Sequence, residues 1–292
     1  MTEISTLPRF GKTCLVIPDS HALSHEHPDE FDRFSAAGNA IRDLRPDFVV
    51  CLGDIADFPS LNPHRAKAAA AFDGDALKRD VSAFREALAT LMGPTKAANA
   101  RHKRARHAER IHDPEWIFCE GNHEERFRRF PETKFMGHDY LAEIARGLGW
   151  EWAPFLEPVE IESTLFAHYF PAGVSGKPAQ VSNILTKTHR SCVWGHTHSF
   201  GFDQRPVLGG GTISALCAGC YKPPHRTGPH EWSGLTLLTD MRDGQFSIQQ
   251  IPYDHVMERW GEGGYAQELR TARAQEHRLR RTAGEAFGIA AE

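Results

Sequence analysis

Five short clusters of Asp, Asn, Glu and His are spread through the 292 residues, each just after an apolar run gives way to turn residues. They are Asp19-Ser20-His21, Gly53-Asp54-Ile55-Ala56-Asp57, Gly121-Asn122-His123-Glu124, His168 within Leu165 to Phe170, and Gly195-His196-Thr197-His198. All offer oxygen or nitrogen ligands, and loops that leave strands are where a sheet gathers distant residues at one edge. Two divalent cations roughly 3.5–4 Å apart need a shared anion, which one carboxylate can supply. Neutral imidazoles and an amide oxygen then fill the shells and keep the negative charge low enough to admit a phosphate. A cage of carboxylates alone would repel it, and a thiolate cage would select soft metals. The mixed shell suits two divalent metal ions such as manganese, iron, nickel or zinc (Mn2+, Fe2+/Fe3+, Ni2+ or Zn2+).

With 17 histidines in the chain, the set and not any single one carries this reading. His25, His27, His64, His102, His107 and His112 fit surface or satisfied interior positions. His168 has no flanking motif, and its rival is His189, at the end of an expected helix where a cation is welcome in any case. The strand context favours His168. Asp57 could cap a turn. Gly53, Gly121 and Gly195 suit either ordinary turns or close backbone approach to a cation.

In order, these pieces read D-x-H, G-D-x-x-D, G-N-H-[DE], H and G-H-x-H, from Asp19 to His198. The pattern resembles the calcineurin-like metallophosphoesterase superfamily. That resemblance implies Asp19, His21 and His198 on one metal, Asn122, His168 and His196 on the other, and Asp54 bridging both. It implies that His123 stabilises or protonates the leaving oxygen, with Asp57 or Glu124 supporting it, while a water activated by two Lewis acids attacks phosphorus in line. Relatives resembling protein phosphatases carry an arginine directly after G-D-x-x-D and another before G-N-H-E, which clamp a dianionic monoester. Here those positions are Phe58 and Glu120. A phosphodiester, nucleotide or nucleic acid, is therefore the expected substrate, although Arg65, Arg126, Arg128 or Arg226 could replace the clamp. The alternatives are a phosphomonoesterase or protein phosphatase, and a metal-binding scaffold that acts only by protein interaction.

The elements that must position these residues are legible in outline. Cys14 to Ile17, Phe48 to Leu52 and Trp116 to Cys119 read as buried strands. Phe31, Phe34, Ala37, Ile41 and Leu44 mark a helix that stops before Pro46, so the chain opens as a parallel βαβ unit. Residues from about 60 to 113 form a helical insertion that could serve as a lid, with Leu77, Val81, Phe84, Leu88 and Leu91 on one face before Gly93-Pro94 and a basic stretch. A helix over His138 to Leu148, strands at Val159 to Ile161 and Thr164 to Phe170, and a helix within Lys177 to Arg190 follow. Further strands are expected at Cys192 to Trp194, Thr212 to Cys217, Leu235 to Thr239 and Phe246 to Ile251, the last two joined as a hairpin. The fold expected is α/β (α+β), a four-layer, two-sheet β-sandwich core flanked by helices. Residues 1–255 would form the metallophosphoesterase domain and 256–292 a charged helical tail packed on it or extending from it.

Apolar residues at 40% and charged residues at 25% exclude a disordered chain, and a formal net charge of -4 gives no general attraction to polyanions. The stretch Arg101 to Arg110 could still meet nucleic acid, although a solvated helix face is the simpler reading. The six cysteines form no disulfide framework. Cys217 and Cys220, a lone C-x-x-C, read as reduced thiols at a strand end. No basic-then-apolar leader opens the sequence, and no run approaches the roughly 18 apolar residues of a membrane span. A cytoplasmic protein without membrane attachment is expected.

Overall fold

The computed structural model describes residues 10–24, 28–62, 73–137, 139–173, 176–178 and 180–264. The expected apolar runs form β1 (Lys12–Ile17), β2 (Phe48–Cys51) and β3 (Glu115–Cys119), and β4 (Glu151–Ala153) joins them in one parallel array. Leu15, Ile17, Val49 and Phe118 face one core, while Val16, Val50, Leu52 and Ile117 face another. Strands buried on both faces must be apolar throughout, which explains their sequence. A second sheet contains β5 (Val159–Ile161), β6 (Thr164–Phe166), β7 (Ser191–Trp194), β8 (Phe200–Pro206) and β9 (Thr212–Ala218), in the order β5-β6-β7-β9-β8. β10 (Gly234–Arg242) and β11 (Gln245–Pro252) then return as an antiparallel hairpin on the free side of β1.

Six helices among the described residues complete the layers: α1 (Asp32–Leu44), α2 (Gly74–Arg104), α3 (Asn122–Arg129), α4 (Tyr140–Leu148), α5 (Val181–Thr188) and α6 (Tyr253–Trp260). Phe34, Ile41, Phe84, Leu88, Ile144 and Trp260 carry the helices on the outer face of the first sheet. Ile184 and Leu185 of α5 cover the second. Between the sheets, Val16, Val50 and Leu238 meet Phe166, Val193 and Leu216, giving the four-layer α/β sandwich.

The insertion differs from its expected form. Asp73 caps α2 by accepting from the backbone nitrogens of Asp75 at 2.9 Å and Ala76 at 3.1 Å, and the helix then runs 31 residues straight through Pro94. Proline cannot donate to the carbonyl of Thr90, and α1 fills that face closely. A Cβ on Gly38 would lie 2.7 Å from the Leu91 oxygen and 3.0 Å from Pro94 Cδ. Leu77, Phe84, Leu88 and Leu91 are buried in the same core as α1, so this helix is a layer of the fold and not a lid. Its basic end lies far from the strand ends discussed below. Arg45, just after α1, donates to the carbonyls of Arg110 and Ile111 at 3.0 and 3.1 Å, where β2 and β3 begin.

Other boundaries shift. The strand expected over Thr164 to Phe170 ends at Phe166, which leaves His168 in the loop beyond it. β4 has three residues, too short to show alternation, and the edge strand β8 is largely polar. His138, Arg65, His25, His27 and His64 lie outside the described residues, as does the tail from 265 to 292. The start of that tail, α6, packs on α1, where Asn39 Nδ2 donates to the Trp260 carbonyl at 3.0 Å. No described helix is long and apolar enough to cross a membrane. Cys217 and Cys220 are free and buried, and burial pushes the Cys220 thiol up to about 12, which leaves it protonated.

Candidate metal centre

Parallel strands in both sheets deliver their carboxyl ends to one place, and every cluster from the sequence is found there. Asp19 and His21 follow β1; Asp54 and Asp57 follow β2; Asn122, His123 and Glu124 open α3 after β3. His168 follows β6, and His196 and His198 follow β7. The loops are sewn together by backbone bonds. Ser20 and His21 donate to the Asp54 carbonyl at 3.0 and 2.9 Å, and Gly195 donates to the His168 carbonyl at 3.0 Å.

Asp19, His21 and His198 bring a carboxylate oxygen and two ring nitrogens within 4.8 Å of one another. Nε2 of His21 lies 3.0 Å from Nε2 of His198, which is itself 3.3 Å from Asp19 Oδ2. Asp19 Oδ1 accepts from the His196 backbone at 2.8 Å, whereas Oδ2 is buried and has no hydrogen-bond partner. An orphaned carboxylate oxygen facing two imidazole nitrogens fits a bound cation.

A second group unites Asp54, His168 and His196. Nδ1 of His168 lies 2.8 Å from the Leu52 carbonyl and must donate to it. That fixes the tautomer and turns a bare Nε2 inward, 2.9 Å from Asn122 Oδ1 and 3.1 Å from His196 Nδ1. Asp54 Oδ2 stands 3.5 Å from the same Nε2, while Oδ1 accepts from the His123 backbone at 2.8 Å. Acceptors converging with few protons between them are again suited to a metal ion. His189 takes no part: it ends α5 with φ 51° as the C-cap.

His123, Asp57 and His21 form a third group. Asp57 Oδ1 is 3.3 Å from Nδ1 of both histidines, and the Asp57 carbonyl is 2.7 Å from His123 Nδ1. Glu124 is turned away from the reactive groups. Its carboxylate accepts from the backbone nitrogens of Asp54, Ile55, Ala56 and Gly121 at 2.8, 3.0, 3.4 and 3.1 Å, clamping the Asp54 turn onto α3.

Charge follows geometry. Burial alone would raise Asp19 and Asp54, but the surrounding imidazoles hold both below the ordinary carboxylate range. Burial lowers the proton affinity of His21 and His196, which favours the neutral form, whereas at His168 and His198 burial is outweighed by the neighbouring carboxylates and the affinity rises. For His123 burial is outweighed by the charge of Asp54 and the hydrogen bond to Asp57, and its pKa rises to about 9.

The backbone makes room for this. Cβ atoms at Gly121 and Gly195 would collide with Asp54 Oδ1 and Asp19 Oδ1. Four residues of the two groups, His21, Asp54, His196 and His198, adopt left-handed φ values of 50°, 47°, 67° and 57°.

Of the arginines named as alternative clamps, Arg126 reaches the centre: Nη2 lies 2.7 Å from His123 Nε2 and Nη1 donates to the Asp57 carbonyl at 3.2 Å. Arg128 is bound to Glu120, and Arg226 to Glu30 and the His21 carbonyl. Phe58 and Glu120 are buried. Two further residues carry no motif and were not foreseeable from spacing. Glu231 Oε1 lies 2.7 Å from His198 Nδ1, and Lys222 Nζ lies 2.7 Å from Glu231 Oε2.

The family model for calcineurin-like phosphoesterases matches residues 12–200. Among solved structures, a protein of Streptococcus pneumoniae TIGR4 described as a predicted phosphoesterase is 15% identical, with a TM-score of 0.37; the match covers 84% of this chain and 91% of that one. A dimetal phosphatase from Danio rerio is 14% identical with a TM-score of 0.39, covering 84% of this chain and 99% of that one. No curated protein matches this chain in sequence. With the family model spanning more than half of its length, this chain belongs to the calcineurin-like phosphoesterases, a family of metal-dependent enzymes.

Proposed function

We propose that the chain hydrolyses a phosphodiester at a centre for two divalent cations. Asp19, His21 and His198 would hold one, Asn122, His168 and His196 the other, with Asp54 shared between them. Cations bound there supply Lewis acidity. The chain's own residues orient the ester and manage its protons. Nδ1 of His123 is engaged by Asp57, so the proton offered to the leaving oxygen sits on Nε2, and the hydrogen bond to Asp57 favours the protonated ring. A protonated Nε2 cannot accept from Arg126. Its guanidinium then turns to a non-bridging phosphoryl oxygen.

The observation that carries the diester reading is the pairing of the cations. Arg128, Arg226 and Lys222 each have a carboxylate partner. Among the described residues at the centre, Arg126 is the cationic side chain without one. A single unmatched guanidinium suits the one negative charge of a diester better than a monoester dianion. The basic end of α2 lies at the opposite ends of the strands, which favours a small diester over a nucleic acid guided by that stretch.

The test compares bis(p-nitrophenyl) phosphate with p-nitrophenyl phosphate in metal-loaded enzyme. We expect the diester to give the higher kcat/KM. Arg126→Ala should lower its value by roughly 10- to 150-fold, the worth of one charge-assisted hydrogen bond at about 1.5–3 kcal/mol. Faster turnover of the monoester would overturn the reading, and turnover of neither ester would favour a non-catalytic scaffold.

A further inference from the structure

The segment between β9 and β10 lies beyond the region matched by the family, yet it is built into the centre. Tyr221 donates to the Asp19 carbonyl at 2.8 Å and Trp232 to the His198 carbonyl at 2.9 Å, so one segment grips the backbones of two candidate ligands. Cys220 and Trp232 close it by a 2.8 Å bond. From this frame Glu231 projects at His198: Oε1 is 2.7 Å from Nδ1, while Oε2 accepts from Lys222 Nζ at 2.7 Å and Gly228 N at 2.6 Å. Lys222 is itself buried, and its Nζ is 3.3 Å from His198 Nδ1.

An ammonium cannot accept a proton, so the partner for the Nδ1–H of His198 is the Glu231 carboxylate. His198 lies in the loop between β7 and β8, inside no regular element, and sits in a left-handed conformation, so its ring orientation is set by side-chain contacts. We infer that Glu231, backed by Lys222, is a positioning residue for His198. It fixes the Nδ1–H tautomer, aims a bare Nε2 at the space shared with Asp19 and His21, and makes that nitrogen a stronger donor. Lys222 matches the charge of Glu231 and leaves it no freedom to swing toward the cation as a ligand. This rests on the reading of His198 as a metal ligand.

The experiment uses the full chain, stripped of metal and titrated with Zn2+ by calorimetry, with histidine tautomers read by nitrogen-detected NMR in the zinc-loaded protein. In the wild type His198 should carry its proton on Nδ1. Glu231→Gln should weaken one of two binding events by about 10- to 100-fold, leave the other in place and leave the Tm of the metal-free protein unchanged. A wild-type His198 protonated on Nε2, both events unaltered in Glu231→Gln, or a metal-free Tm that falls in step with affinity would each overturn the inference. His198→Ala separates the two levels. If it abolishes one event while Glu231→Gln weakens neither, the positioning role alone fails; if His198→Ala alters neither, the ligand assignment fails with it.

Discussion

Replacing Glu124 by Gln tests whether this carboxylate is a fastener or a reagent. Its two oxygens divide four backbone donors between them: Oε2 takes Asp54 N and Gly121 N, and Oε1 takes Ile55 N and Ala56 N. A glutamine keeps one oxygen and presents an NH2 group to the other pair, so two buried N–H groups lose their acceptor. At about 1–3 kcal/mol for each unsatisfied buried donor, the variant should lose roughly 2–6 kcal/mol. Alanine would strand all four, at about twice that loss and comparable with a whole domain's stability of about 5–15 kcal/mol, so glutamine is the variant to measure. The assay is urea unfolding of the metal-free protein, where the midpoint should fall with an unchanged slope. An unfolding free energy within about 0.5 kcal/mol of wild type would refute the fastening role. A stable variant that had nevertheless lost turnover would make Glu124 a participant in the chemistry.

Asp54→Asn keeps an oxygen for the His123 backbone but removes the charge proposed to be shared between the cations. Ester hydrolysis should drop by about a hundredfold or more while the circular dichroism spectrum is retained, and undiminished hydrolysis would count against the metal mechanism. Gly195→Ala drives a methyl into Asp19 Oδ1 and should cost one metal equivalent out of two by elemental analysis; full occupancy would show that the carboxylate can move aside. Asp47 accepts from the Thr13 backbone at 2.8 Å and hydroxyl at 2.9 Å, and despite partial burial these bonds and Lys12 hold it below its ordinary pKa of 3.8. A depressed folded pKa contributes stability above the unfolded value that fades as pH falls through the folded one. Asp47→Asn should therefore be less stable than wild type at pH 7 and converge with it toward pH 2 in thermal melts, and a gap constant with pH would dismiss this assignment.

The strands were readable because a sheet covered on both faces must be apolar continuously, as in Cys14 to Ile17 and Phe48 to Cys51. The site was readable for a related reason: each cluster follows a strand, and parallel strands bring their ends together. What escaped notice is governed by tertiary contact. Pro94 reads locally as a breaker, and only the Gly38 face of α1 makes a continuous helix sensible there. His168 sits past the end of β6, a boundary set by pairing with β7 that no local pattern marks. Glu231 and Lys222 lie in a loop without motif, and their relation to His198 exists only after β9 and β10 have placed that loop. The arginine candidates could be named in sequence, but sorting Arg126 from Arg128 and Arg226 required their carboxylate partners.

Left-handed torsions at His21, Asp54, His196 and His198 carry a consequence for how this centre can change over generations. Such conformations hold back about 1 kcal/mol or more per residue in an L-amino acid, a penalty that glycine escapes. Glycine at any of these four positions would relax the empty chain and at the same time erase a donor atom. Mutational drift toward a sturdier chain therefore points away from the ion capture proposed here. Keeping side chains at all four positions is what the fold would give up in robustness to hold the proposed cations.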